Sequence, residues 1–201
     1  MPPTRPLAGA ADAARQEAAR AWIDFVRPYA TPEALRYCEA AIERSAVGTS
    51  VELAGPVGER NVYTLEPRGR VLCLAASTPT MIAQVGAALA TGNAALVVPP
   101  PDPNNFLIRL PPALRVRVQR LGDPREAPCD LVLYEGDADD LLHWQRVFAD
   151  LPGPVVPFLA LRRGAPLDGS ADFDLAWLVR ERAVSTNTAA AGGNASLMSI
   201  G

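Results

Sequence analysis

The sequence predicts an α/β protein: an open, mostly parallel β-sheet with helices before it, a β flap beside it and a neutral tail behind it. Three observations predict this class. Two continuous apolar runs, 71–75 and 94–98, bracket a helical stretch. Strand, helix and strand in that order make a parallel unit with a right-handed crossover. Two further apolar runs, 131–134 and 155–161, bracket a second amphipathic stretch. Runs without polar alternation suit strands covered on both faces. The composition also allows a core, since 49% of the 201 residues are hydrophobic and 20% are charged.

The first segment, 1–46, is read as helical. Ala19, Trp22, Phe25, Val26 and Tyr29 fall on one helical face. Thr31-Pro32 then reads as an N-cap followed by proline at the first helical position. Leu35, Cys38 and Ile42 carry a second amphipathic helix to about Arg44.

The next segment, 47–69, reads as a β flap or hairpin. Val51-Glu52-Leu53 and Val62-Tyr63-Thr64-Leu65 are β-prone, and Gly55-Pro56-Val57-Gly58 separates them. Pro67-Arg68-Gly69 closes the second run.

Segment 70–182 carries the alternating pattern. Thr78-Pro79 starts a helix with its body at 81–90, and Gly92-Asn93 ends it with residues that accept a left-handed backbone. The proline-rich stretch 99–112 reads as irregular. Val116 and Val118 alternate with Arg115, Arg117 and Gln119, as in a strand with one polar face. Asp137 is placed to cap the next helix, with Asp139 and Asp140 at its positive end. Leu141, Trp144, Val147, Phe148 and Leu151 form the expected buried stripe of that helix. Leu175, Trp177 and Leu178 suit one short helical turn, and 183–186 returns to β character.

The final segment, 183–201, has no charged side chain after Arg182 and is rich in small, hydroxyl and amide residues. Chain ends are usually charged and solvated, so this composition suits close packing on another surface. Gly192-Gly193-Asn194-Ala195-Ser196 could cradle an anion through backbone amides. The reading favoured is a tight bend against a protein surface.

Composition excludes several functions. A net charge of −3 argues against a general nucleic-acid binder. No apolar run approaches the roughly 20 residues that span a bilayer. The N-terminal stretch lacks the apolar centre of a secretory signal. Cys38, Cys73 and Cys129 are widely spaced, so the chain is read as cytoplasmic with free thiols. All 19 basic residues are arginine, which excludes a lysine base, a Schiff base and a P-loop lysine. One histidine and no CxxC pair exclude the usual zinc patterns.

No catalytic constellation emerges. The turn Ala75-Ala76-Ser77-Thr78-Pro79 lacks the glycines of a dinucleotide fingerprint. Cys73 sits inside an apolar strand, where thiols pack and do not react. His143 lies off the apolar stripe of its helix. Glu135-Gly136-Asp137 follows a strand end, where open sheets hold ligands, but a turn and a helix cap account for it. Adjacent Asp139 and Asp140 do not face each other on a helix. We expect no catalytic, cofactor-binding or metal-ligating residue in this chain.

Two stretches carry a resemblance. Pro67-Arg68-Gly69, the strand 71–75, the helix ending near Ala90, Gly92-Asn93 and the strand 94–98 resemble the start of the Rossmann-like aldehyde dehydrogenase cofactor domain. That family's turn asparagine, which helps hold the reacting carbonyl oxygen, aligns with Thr78, and its cofactor-contacting lysine aligns with Val98. The family's catalytic cysteine segment has no counterpart. The stretch 52–63 and the end from Val184 onward are similar to the C-terminal region of long proline utilization A proteins, bifunctional flavoenzymes that oxidise proline to glutamate. Asn187-Thr188, Gly192, Gly193, Asn194, Ser196, Leu197 and Met198 match the C-terminal signature of that family.

The resemblance implies a non-catalytic, aldehyde dehydrogenase-like domain that covers an internal channelling cavity. It implies a C-terminal portion starting at an added or linker Met1, with these tail residues as interaction residues. It implies partners in the same polypeptide: a proline dehydrogenase domain holding FAD and an aldehyde dehydrogenase domain using NAD. A homo-oligomer formed through flap and tail is a further expectation. So is a tail that, in the isolated chain, is poorly ordered or docks on a neighbouring copy. The alternative readings are a dinucleotide-binding module and a stand-alone enzyme.

Overall fold

The structure is a computed structural model that describes residues 10–101, 105–169 and 172–187. Helix α1 (Ala10–Val26) and helix α2 (Pro32–Arg44) come first. Ala19, Trp22, Ile23 and Val26 form the buried stripe of α1. The Trp22 indole N–H donates to the Ile82 carbonyl at 3.1 Å. Thr31 caps α2, accepting from the Ala34 backbone N–H at 3.3 Å. The buried face of α2 is Ala34, Tyr37, Cys38 and Ala41, while the expected Leu35 and Ile42 are only partly buried. Packing against a third helix sets this rotation: a Cβ at Gly86 of that helix would collide with the Cys38 side chain, so glycine permits the close approach.

The body is a five-stranded sheet. Its strands are β3 (Arg70–Leu74), β4 (Ala94–Val98), β5 (Val118–Arg120), β6 (Leu131–Gly136) and β7 (Phe158–Arg162). They run parallel in the order β5-β4-β3-β6-β7. Helix α3 (Thr78–Ala90) links β3 to β4 and is buried along nearly its whole length. With α1 and α2 it fills the main core on one sheet face. Helix α5 (Ala138–Ala149) packs on the other face, beside Leu72, Leu96, Val132 and Tyr134.

Several boundaries differ from the sequence reading. The stretch 99–112 is not wholly irregular. It holds a 3-10 turn (Phe106–Arg109) and leads into a short helix α4 (Pro112–Arg115). Phe106, Leu107 and Leu110 are buried there, and Phe106 stacks on Tyr29 with centroids 4.5 Å apart. Tertiary contact thus orders a segment that its prolines alone leave extended. Val116 is exposed in the turn before β5. Val155 is likewise exposed, and β7 begins three residues later at Phe158. On α5 only Phe148 of the expected stripe is buried, because this helix lies over the β6–β7 side of the sheet.

A second, antiparallel sheet joins β1 (Ser50–Leu53), β2 (Glu59–Pro67) and β8 (Val179–Asn187) in the order β1-β2-β8. The flap is therefore completed by the last strand of the described chain. That strand begins at Val179, four residues before the predicted start at 183. Arg180, Glu181 and Arg182 hide it in the sequence, since a strand wetted on both faces shows no apolar alternation.

Asn93 joins the two sheets. It is buried, accepts from the Gly69 N–H at 2.7 Å, and donates to Thr91 Oγ1 and to the Leu178 carbonyl, each at 2.8 Å. Gly92 before it has φ +77°, a backbone angle that suits glycine at a helix end.

Candidate functional site

In an open α/β sheet, ligands bind beyond the carboxyl ends of the strands where strand order reverses. Here that point lies between β3 and β6: β4 and β5 extend to one side of β3, and β6 and β7 to the other. The turn from β3 into α3 faces this crevice. Ser77 is the N-cap of α3, and its hydroxyl accepts from the Thr80 N–H at 3.4 Å.

Glu135, on β6, is 2% exposed. Its Oε2 accepts from the Ala76 N–H at 3.1 Å, the Ser77 N–H at 2.9 Å and the Ser77 hydroxyl at 3.0 Å. Its Oε1 accepts from the Gly164 N–H at 3.0 Å, just beyond β7. One carboxylate thus ties the ends of three adjacent strands together. The turn-and-cap reading of 135–137 holds for Asp137, which caps α5 by accepting from the Asp140 N–H at 3.0 Å. It fails for Glu135, which lies within the strand. A carboxylate at the end of the apolar run Leu131-Val132-Leu133-Tyr134 was the available signal.

The remaining candidates are dispersed. Cys73 lies at the centre of β3, and burial pushes its thiol well above the ordinary range. Burial does the same to Cys38, up to about 12, and to Cys129, up to about 11. His143 is exposed on α5, edge-on to Trp144. Asp139 and Asp140 occupy the first turn of α5. Thr78 is the first residue of α3, and Val98 ends β4. Among the described residues, no group of three or more His, Cys, Asp or Glu is placed to hold a metal ion. No helix among them is long and apolar enough to cross a membrane.

The flap forms the second feature. Its β2–β8 ladder runs from Pro67↔Val179 to Glu59↔Asn187. Residues paired across an antiparallel ladder point to the same face. One face carries Glu52, Arg60, Glu66, Arg180 and Arg182. Glu66 pairs with Arg180 at 3.4 Å and Arg182 at 3.0 Å, and Arg60 with Glu52 at 3.2 Å. The other face carries Val51, Leu53, Tyr63, Leu65 and Ala183, together with Glu59, Asn61 and Glu181. On it, Val51 is 42% and Leu53 47% exposed. Two clefts of about 350 Å³ each flank the flap root; one is lined by Arg15, Thr64 and Arg117, the other by Arg44, Tyr63 and Asp174.

Of the predicted interaction residues, Asn187 ends β8 beside Glu59 at the flap tip. Thr188, Gly192, Gly193, Asn194, Ser196, Leu197 and Met198 lie outside the described residues.

No protein-family model matches the chain. Among curated proteins, it is 40% identical over 181 residues to the bifunctional protein PutA of Rhizobium meliloti, an alignment covering 90% of this chain and 14% of that one. This chain is homologous to a segment of PutA. It spans 12–14% of the length of the curated PutA relatives it matches. Solved structures agree at the level of fold. A variant of Bradyrhizobium japonicum proline utilization A (PutA) matches with TM-score 0.55 and 22% identity, over 78% of this chain and 20% of that one. The substrate-bound AldH of Staphylococcus aureus matches with TM-score 0.54 and 14% identity, over 74% of this chain and 41% of that one. The PutA homology thus comes with an aldehyde dehydrogenase-like fold.

Proposed function

We propose that this chain is a non-catalytic covering domain of a PutA-type polypeptide that oxidises proline to glutamate. Its partners are the proline dehydrogenase and aldehyde dehydrogenase domains of that polypeptide, which hold FAD and NAD. The flap and the neutral tail are the docking elements, and they hold a diffusible semialdehyde intermediate between two active sites. The observation that carries this reading is the union of the flap with β8, the last described strand. β8 is zipped along all nine residues of β2, with its last residue, Asn187, paired to Glu59. Half-exposed Val51 and Leu53 give one edge of this unit, at β1, apolar side chains to bury.

The test uses a complete PutA-type polypeptide carrying this segment. Residues 188–201 are removed in one variant, and Val51→Asp with Leu53→Asp is made in another. Proline oxidation is followed with an artificial electron acceptor, glutamate formation by NADH, and free intermediate by an amine trap. The expected result is unchanged proline oxidation with lost coupling and trapped intermediate. Full coupling with no trapped intermediate in both variants overturns the proposal. A second reading, a dinucleotide-binding module, draws support from the fold. Calorimetric titration of this chain with NAD separates the two readings, since saturable micromolar binding favours the module.

A further inference from the structure

We propose that Glu135 is a built-in occupant of an oxyanion site at the sheet's switch point, and that it closes this crevice to phosphate-bearing ligands. The inference is independent of the covering role above. Three features converge on it. First, the donors come from separate elements: Ala76 and Ser77 from the β3–α3 turn, and Gly164 from the loop after β7. Backbone amides at such a turn, at the positive end of a helix, form the geometry that binds phosphate oxygens.

Second, α3 has no acidic residue in its own first turn, whereas α2 has Glu33 and α5 has Asp139 and Asp140. Glu135 supplies the missing negative charge from a neighbouring strand. Third, Glu135 makes no ion pair among the described residues. A buried carboxylate without a cation is costly unless its oxygens are fully hydrogen-bonded. Three amides and one hydroxyl meet that need. The cradle is therefore matched to an oxyanion, and the protein itself provides one. A dinucleotide phosphate could enter only by expelling Glu135, leaving two anions to compete for one set of donors.

The test is chemical rescue in the 201-residue chain. Wild type, Glu135→Ala and Glu135→Gln are melted in sodium acetate, in inorganic phosphate and in sodium chloride of matched ionic strength. The Ala variant is expected to melt below wild type. Acetate or phosphate at tens of millimolar then raises its midpoint by about 3 °C over the chloride control, with no such response in wild type. The Gln variant fills the space with an uncharged group, so it melts below wild type and does not respond. An Ala variant as stable as wild type overturns the proposal. So does an Ala variant that is destabilised yet indifferent to both anions. If the Ala variant does not fold, Gln decides alone: wild-type stability in Gln overturns the proposal and a lowered midpoint supports it. Saturable phosphate binding by the wild-type chain also overturns it.

Discussion

The side-chain amide of Asn93 donates to the carbonyl of Leu178 at 2.8 Å, bridging the end of α3 to the residue before β8. The same side chain accepts from the Gly69 N–H at 2.7 Å, where β2 gives way to β3. Among the described residues the chain crosses between body and flap at 45–49, 67–70 and 178–179, and Asn93 holds the last two.

Asn93→Ala is therefore expected to destabilise the chain by about 2 kcal/mol, because it leaves the Gly69 N–H without its acceptor and the Leu178 carbonyl with only the Arg68 N–H, at 3.1 Å. Urea unfolding measures this. A loss under about 1 kcal/mol, within the range of ordinary substitutions, would show that the joint is held by other contacts.

Gln84 presents the opposite case. It is fully buried in α3, and neither its Nε2 nor its Oε1 has a hydrogen-bond partner among the described residues. Replacing an unsatisfied buried amide by an apolar group of similar shape removes a desolvation cost. Gln84→Met is expected to raise stability by about 1 kcal/mol, read as a higher urea midpoint with unchanged slope. A lower midpoint refutes the assignment.

Buried acids weaken the fold at alkaline pH, Cys129 and Tyr134 among them, together with Cys38 and Cys73. Burial, reinforced by Asp130, pushes the Cys129 thiol from its ordinary 9 up to about 11. Burial, with Asp140 and Asp137, pushes the Tyr134 phenol from 10 up to about 12. Both groups are raised, so their neutral forms are favoured in the folded chain. Their stabilising contribution is complete below pH 9 for the thiol and below pH 10 for the phenol. It is lost as pH climbs to about 11 and about 12 respectively. Unfolding free energy measured from pH 8 to 12 should fall through this window. Cys129→Ala should make its early part shallower, with Cys38 and Cys73 supplying the remaining slope, and Tyr134→Phe should make its late part shallower. A curve that is level across the window contradicts this.

The parts of the fold legible in the sequence share a physical basis. The strands 71–75, 94–98 and 131–134 show as apolar runs because the sheet is covered on both faces at those positions. Thr31 and Asp137 show as caps because capping is a local hydrogen bond a few residues long. At α3 the cap is Ser77, one residue before the helix start that Thr78-Pro79 suggests, and its hydroxyl accepts from the Thr80 N–H. The α5 stripe is less buried than its spacing suggests, since amphipathic spacing says which face turns inward but not how much protein lies there to cover it.

The sequence by itself determined the α/β class, the order of elements, the short caps and the resemblance that the PutA homology now supports. Each of these is written in residues close together along the chain. Only the tertiary structure decided that β8 pairs with β2 to complete the flap, and that Glu135 fills the crevice at Ala76, Ser77 and Gly164. The reason is distance along the chain. Pro67 pairs with Val179, and Ser77 meets Glu135. Such partners announce themselves by no local period, so an exposed charged strand and a buried carboxylate both look like loop until the chain is folded.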